Sequence, residues 1–246
     1  MPDLDEPDET QLARLPSLAL VAFAARCARR VQPLYRPTFD VYDPPKQLGA
    51  VDYAIAAAEV HGSTIPTKEV VSRSVAAGAV KGAYIAAERG LFADAIYAAT
   101  AAAYAARMVR WFPDNLHVRV MTTAFNVAHQ SALAATASEQ NGNIGAESAV
   151  LTAVKHDYGL LLNAAAAESW TDETPVPPEF FGPLWPFGPP PNWPVKEEDS
   201  DGAELVLEIE VPDDATDEEI ALPTPIRIWS VASQFGGRGS YWPSFL

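Results

Sequence analysis

Histidine and cysteine are the first side chains in this sequence to consider for chemistry. The chain has four histidines, His61, His117, His129 and His156, and a single cysteine, Cys27. Metal sites on helical bundles usually place a carboxylate and a histidine three residues apart, and neither Glu-x-x-His nor His-Glu-x-x-His occurs. His156 precedes an aspartate, but adjacent helical residues point about 100° apart and cannot form a relay with each other. We therefore expect no metal site and no cofactor.

Cys27 is the candidate nucleophile, since Arg26, Arg29 and Arg30 would lower the pKa of a nearby thiol. It also lies on the apolar stripe of a predicted helix, where a cysteine behaves as a small buried hydrophobic residue. We interpret Cys27 as core, and we interpret the arginines as solvated side chains that stabilise the end of the helix against its dipole. Alternatively, these arginines would form ion pairs with the acidic segments of the same chain or with another protein. An enzyme whose site is assembled from distant residues, such as Cys27 and His129, remains an alternative.

The charge is distributed unevenly along the chain. Of the net charge of −15, residues 1–10 contribute −5, residues 11–170 contribute +2, residues 171–219 contribute −14 and residues 220–246 contribute +2. Binding to a phosphate backbone needs a net basic surface, so we expect no nucleic-acid partner. The glycine-rich Gly-Gly-Arg-Gly run lacks the spacing of a phosphate-binding loop.

The cysteine content and the lack of a recognisable leader predict a cytoplasmic protein. One cysteine allows no intramolecular disulfide, and no charged-then-apolar leader opens the sequence. The alanine-rich stretch at 93–109 contains charges, and alanine is a poor membrane-spanning residue, so we expect no transmembrane helix and no membrane partner. A helical pore or membrane-surface protein is a second alternative, which exposure of this stretch to lipid would favour.

Apolar periodicity predicts six helices, which must position any functional side chain. They lie over 17–31, 46–61, 67–89, 91–111, 114–140 and 143–170. Gly62 is interpreted as a helix stop and Asn143 as a helix cap. Short connections predict an antiparallel bundle. The predicted architecture is mainly α: a six-helix, alanine-rich bundle at 10–170, after an acidic tail at 1–9.

A segment rich in proline and aromatic residues follows the bundle at 171–202. Its central run, at 175–194, reads PVPPEFFGPLWPFGPPPNWP and favours extended geometry. One interpretation is a polyproline ligand of the SH3 type. The preferred one is a strap whose aromatic side chains cover apolar bundle surface. The candidate partner-binding residues are Trp185, Phe187, Pro191, Trp193, Pro194, Lys196 and, near the C-terminus, Arg238.

Residues 203–246 are predicted to form a small α+β element. Alternation over 204–211 is typical of a half-buried strand. The run LVLEIEVPDDATDEEI, with GGRG about fifteen residues later, resembles a short strand–helix–strand module found with effectors of bacterial antiviral and conflict systems. The resemblance covers 205–242 and implies an adaptor role with no catalytic residues. The helical body resembles uncharacterised bacterial helical proteins, which implies no activity.

The function expected from the sequence is therefore that of a non-enzymatic adaptor or scaffold protein. Its partner would be another protein, and the resemblance implies a bacterial defence or conflict system as the setting. The sequence indicates neither the partner nor the oligomeric state.

Overall fold

The part of the chain that the structure describes is mainly helical. A computed structural model describes residues 7–36, 44–64, 73–88, 92–111 and 117–194, and those ranges contain no strand. The helices are α1 (Glu9–Leu12), α2 (Ser17–Val31), α3 (Pro44–Ser63), α4 (Arg73–Glu88), α5 (Ala93–Trp111), α6 (His117–Gln140) and α7 (Ala146–Glu168). Single 3-10 turns lie at Gln32–Leu34 and Pro178–Phe181.

Each of the six helices predicted from apolar periodicity is present. The prediction at 17–31 coincides with α2, and the others agree within a few residues wherever the chain is described. Parts of the predicted third, fourth and fifth helices, at 67–72, 89, 91 and 114–116, lie outside the described residues. So does the whole predicted α+β element at 203–246.

The short helix α1 is not among the predicted helices. Asp8 and Gln11 form a reciprocal capping box: the Gln11 amide donates to Asp8 Oδ1 at 2.7 Å, and the Asp8 amide donates to Gln11 Oε1 at 3.0 Å. Leu12, at the end of this turn, is fully buried. Residues 8–12 are therefore attached to the body of the protein.

Helix α5 lies at the centre of the helical packing and contacts α2, α3, α4 and α6. The alanine side chains on several of its faces are buried, which explains how four neighbours fit around one helix. Small side chains let helix axes approach closely, so an alanine-rich sequence can build a dense core with few large residues. Within the described residues, no helix combines the length and the apolarity that crossing a membrane requires.

Two predictions about helix ends are wrong, one for a glycine and one for an asparagine. Gly62 does not end a helix, because α3 continues to Ser63. A Cβ atom at Gly62 would lie 3.0 Å from the backbone nitrogen of Ala22, so this glycine permits close approach of α3 to α2. Asn143 does not cap α7, which begins after Gly145; its side-chain amide instead donates to Ser138 Oγ at 2.5 Å.

Candidate functional site

Residues 171–194, called the strap from here on, lie against the helices. Val176 donates its amide hydrogen to the carbonyl of Gly62 at 2.8 Å, and Phe181 and Trp193 are buried in the same core as the helices. Phe180 and Trp185 are partly buried against that core. The rings also contact one another edge to face, with centroid distances of 5.3 Å for Phe180–Phe181 and for Trp185–Trp193. The strap is thus an integral part of the packed structure.

Beneath the strap lies a buried ionic cluster, the arginine latch, formed by Arg26 and Arg30 of α2 and Asp157 of α7. Arg30 Nη2 donates to Asp157 Oδ2 at 2.5 Å, and both side chains are 0% exposed. Arg26 Nε lies 3.5 Å from the same carboxylate oxygen. The interpretation of these arginines as solvated side chains is therefore wrong for Arg30, whose counterpart is a carboxylate within the helical core.

The third arginine of the run pairs with a different helix. Arg29 makes a bidentate contact with Glu59, at 2.9 and 2.7 Å, and its Nη1 donates to Asp52 at 3.1 Å. Both acids belong to α3, so this contact joins α2 to α3 at the edge of the bundle. Arg29 too is paired rather than simply solvated.

The arginine latch holds the strap through its backbone. Arg30 Nε donates to the carbonyl of Leu184 at 3.0 Å, and Arg26 Nη2 donates to the carbonyls of Gly182, at 2.8 Å, and Pro183. Three successive carbonyls of the strap therefore accept hydrogen bonds from two guanidinium groups. Each guanidinium has five N–H donors in a fixed planar fork, so two of them suit such an array.

Aromatic rings bracket those three carbonyls. The guanidinium carbon of Arg26 lies 5.3 Å from the centroid of Phe181, and that of Arg30 lies 6.0 Å from the centroid of Trp185. Cations at these distances are attracted to the faces of aromatic rings. The latch therefore contacts a five-residue segment with aromatic residues at its first and fifth positions and hydrogen-bonding carbonyls between them.

Burial dominates the electrostatics of this cluster. Loss of hydration raises the pKa of the Asp157 carboxyl, although the positive charges of Arg30 and Arg26 oppose the shift. Burial also lowers the pKa of Arg26. Arg30 Nη1 and Asp157 Oδ1 are buried without hydrogen-bond partners among the described residues. Burial of both ions costs desolvation energy, which their mutual attraction and hydrogen bonds oppose.

A serine, a histidine and an aspartate meet where the strap begins. Ser17 Oγ lies 3.0 Å from His117 Nδ1, and Asp172 Oδ1 lies 3.7 Å from the same nitrogen. A catalytic relay needs the two partners on different ring nitrogens, since one must be protonated while the other accepts the serine proton. Asp172 instead accepts the Ser17 amide at 2.7 Å, which satisfies a donor at the start of α2. This cluster is a joint between α2, α6 and the strap.

The proposed pairing of Cys27 with His129 receives no support from burial. Cys27 is fully buried, which confirms its interpretation as a core residue. His129 is half-buried and its ring stacks on Phe125, with centroids 6.0 Å apart. Among the described residues, no group of three or more histidine, cysteine or acidic side chains is placed to hold a metal ion.

The candidate partner-binding residues have unequal environments. Trp193 is buried and Trp185 partly buried, whereas Pro191 is exposed and Phe187 is 71% exposed. Pro194 is half-buried, and Lys196 and Arg238 lie outside the described residues.

The backbone at 190–193 forms a turn. Asn192 has φ of 61°, and the Trp193 amide donates to the carbonyl of Pro190 at 3.1 Å. A polyproline helix needs φ near about −75° at each residue, so this segment does not present one in the folded protein.

Sequence reasoning did not identify Asp157 as a site residue, and it interpreted Arg30 as solvated. A signal for Asp157 was present, because it falls on the apolar stripe of α7 together with Val150, Val154 and Leu161, all of them buried. A charged residue on such a stripe indicates a buried partner of opposite charge.

No protein-family model matches the sequence, and comparison with curated proteins and with solved structures gives no significant match either. The functional argument therefore depends on the geometry of the strap and the latch.

Proposed function

We propose that this chain is a non-enzymatic interaction protein, an adaptor or scaffold whose helical body displays the strap to a partner protein. The observation that supports the proposal best is Phe187. Its side chain is 71% exposed in a strap whose other phenylalanines, Phe180 and Phe181, are partly or fully buried. Its ring rests edge-on against His156 of α7, with centroids 5.6 Å apart.

An exposed aromatic side chain on an anchored segment is suited to partner binding. Aromatic residues dominate the energy of many protein interfaces, and a rigid display reduces the entropy lost when the partner binds. The latch supplies that rigidity, since it fixes the carbonyls of Gly182, Pro183 and Leu184 a few residues before Phe187. We therefore place the centre of the partner-binding surface at Phe187, with the exposed Pro191 beside it in sequence.

The finer architecture belongs to the same proposal. The helices are taken to form an antiparallel bundle, and residues 203–246 a small α+β element that supplies a second contact through Arg238. The resemblance at 205–242 supports a bacterial defence or conflict system as the setting. The burial of Cys27 and of the alanines of α5 weighs against the enzymatic and membrane-surface alternatives.

Site-specific photocrosslinking in cells of the native host tests this proposal. A benzoylphenylalanine replaces Phe187 in one variant and Phe92 in a matched control. Phe92 is also an exposed phenylalanine, at 58%, but lies immediately before α5 and outside the strap. We expect one discrete protein to crosslink at position 187 and not at position 92.

Measurement with the purified partner then gives a magnitude. Truncation of an interface hot spot costs at least about 2 kcal/mol, so Phe187→Ala should weaken binding roughly thirtyfold. Phe92→Ala should leave the dissociation constant unchanged. Equal crosslinking at both positions, or none at 187, would contradict the proposal.

A further inference from the structure

The surface around Arg26 and Arg30 of α2 and Asp157 of α7 holds residues 181–185 and is called the strap groove from here on. Its hydrogen bonds go to backbone carbonyls through Arg26 and Arg30, and its aromatic contacts go to Phe181 and Trp185. None of these contacts requires the bound segment to be joined to the same chain. Backbone recognition with two side-chain anchors is a common mode of peptide binding.

We propose that the strap groove also binds the strap of a second copy of this chain, so that two copies exchange straps. The chemistry of the occupant is already demonstrated within the chain, and each copy carries one groove and one strap. Exchange would preserve the latch and its contacts with residues 181–185. Residues 169–180, the joint between α7 and the groove-bound segment, must change and give up the bond from Val176 to Gly62, as the hinge segment does in other domain-swapped pairs.

That joint is locally strained. Ser169 ends α7 with φ of 54° and ψ of 48°, a left-handed conformation that is unfavourable for residues with a Cβ atom. Opening of the joint to an extended backbone relieves this strain. The eleven residues from Trp170 to Phe180 could then span about 36 Å when extended, which is enough to reach a neighbouring molecule.

Concentration controls the balance between the two arrangements. A strap tethered by a short linker competes at an effective concentration of about 1 mM, so the closed monomer dominates in dilute solution. The balance shifts toward exchange when the contact between strap and groove is weakened within each chain, provided that the mixture still contains one intact groove and one intact strap. This condition defines a complementation experiment.

The experiment mixes two full-length variants. Arg26→Ala damages the groove but keeps the strap intact, and Trp185→Ala damages the strap but keeps the groove intact. Together they hold one matched pair, in which the strap of the first variant enters the groove of the second. The other pair carries both changes, but either change alone is expected to undock the strap, so that pair loses no further contact and the matched pair is a net gain. We expect native mass spectrometry to show a one-to-one heterodimer, associated at least about tenfold more tightly than either variant with itself.

The matched control is the Arg26→Ala, Trp185→Ala double variant mixed with Trp185→Ala, a mixture that contains an intact groove and no intact strap. This control should stay monomeric. Equal association in both mixtures, or a monomeric complementary mixture of folded variants, would overturn the proposal.

A second groove variant keeps the test decisive if Arg26→Ala does not fold. The pair Arg30→Met and Asp157→Leu replaces the buried ions by apolar side chains of similar volume and removes the bond to Leu184, which is a tolerated type of exchange. Phe187 is unchanged in every variant, so failure of strap exchange is distinguishable from failure of the proposed partner site.

Discussion

Removal of Asp157 should have the largest effect of any single change at the latch. Its carboxylate lies 2.5 Å from Arg30 Nη2 and 3.5 Å from Arg26 Nε, with no exposure to solvent on its own side chain or on that of Arg30. Asp157→Leu leaves the Arg30 guanidinium buried without a counter-charge, and a guanidinium cannot lose its proton. We expect the free energy of unfolding to fall by about 3–5 kcal/mol, which corresponds to roughly 6–20 °C in melting temperature.

The loss of stability should be smaller for Arg30→Met than for Asp157→Leu. Arg30→Met leaves Asp157 in the core, but this carboxyl can take up a proton, and burial already raises its pKa above 3.8. The stability gained by protonation of such a group is present at low pH and is lost as pH rises through the raised pKa. The deficit of Arg30→Met should therefore shrink on acidification, whereas that of Asp157→Leu should not.

Urea unfolding of a double-mutant cycle measures these effects. The variant with both Arg30→Met and Asp157→Leu should recover at least about 2 kcal/mol relative to the sum of the two single losses, because neither charge remains. Glu59→Gln serves as a control at the more exposed pair with Arg29, where we expect a loss of about 1 kcal/mol or less. A loss below about 1 kcal/mol for Asp157→Leu, or simple additivity of the two changes, would refute the reasoning.

Three further predictions concern other parts of the fold. Burial lowers the pKa of His61 from 6.5 to about 4, so the unfolded chain binds a proton first as pH falls. At about 1.4 kcal/mol per pH unit, His61 should lower the free energy of unfolding by about 2 kcal/mol between pH 7.5 and pH 5. Urea unfolding should show a smaller loss in His61→Gln, and equal losses in the two proteins would contradict the prediction. A Cβ atom at Gly159 in α7 would meet no atom within 4 Å, so Gly159→Ala should raise the free energy of unfolding by about 0.5–1 kcal/mol, measured by thermal unfolding. Gly62→Ala should give no such gain, because a Cβ atom there would press against α2. A similar gain for both variants would contradict the observed packing. Asp172→Ala removes the acceptor for the Ser17 amide and should cost about 1 kcal/mol in urea unfolding, and no loss would show that this bond is absent.

The helices were predictable because their apolar spacing is local information. Periodicity placed α2 correctly, and it placed Cys27 in the core. The four-residue α1 is too short for a periodic signal, although Asp8 and Gln11 have the spacing of a capping box. Local apolar patterns thus predicted the six longer helices but not the short helix α1.

The latch was not predictable from local patterns, because it joins residues far apart in sequence. Arg30 and Asp157 are 127 positions apart, and Leu184 is a further 27 beyond Asp157. Arginines near a helix end are normally solvated, and the sequence interpretation assumed that this general tendency holds for Arg30. The charge of Asp157 on an apolar stripe was the available signal, and it indicates that some partner exists but not which one.

Amide hydrogen exchange at single residues tests the central claim, that the strap is packed on the helical body and holds Phe187 in place. The Val176 amide donates across to Gly62, whereas the Thr174 amide donates only to Thr171 within an exposed turn of the same strap. We expect the Val176 amide to exchange at least about a hundredfold more slowly than that of Thr174 in the full-length protein. Exchange of Val176 as fast as that of Thr174 would show that the strap is not anchored, and would contradict both the displayed partner site and the strap groove.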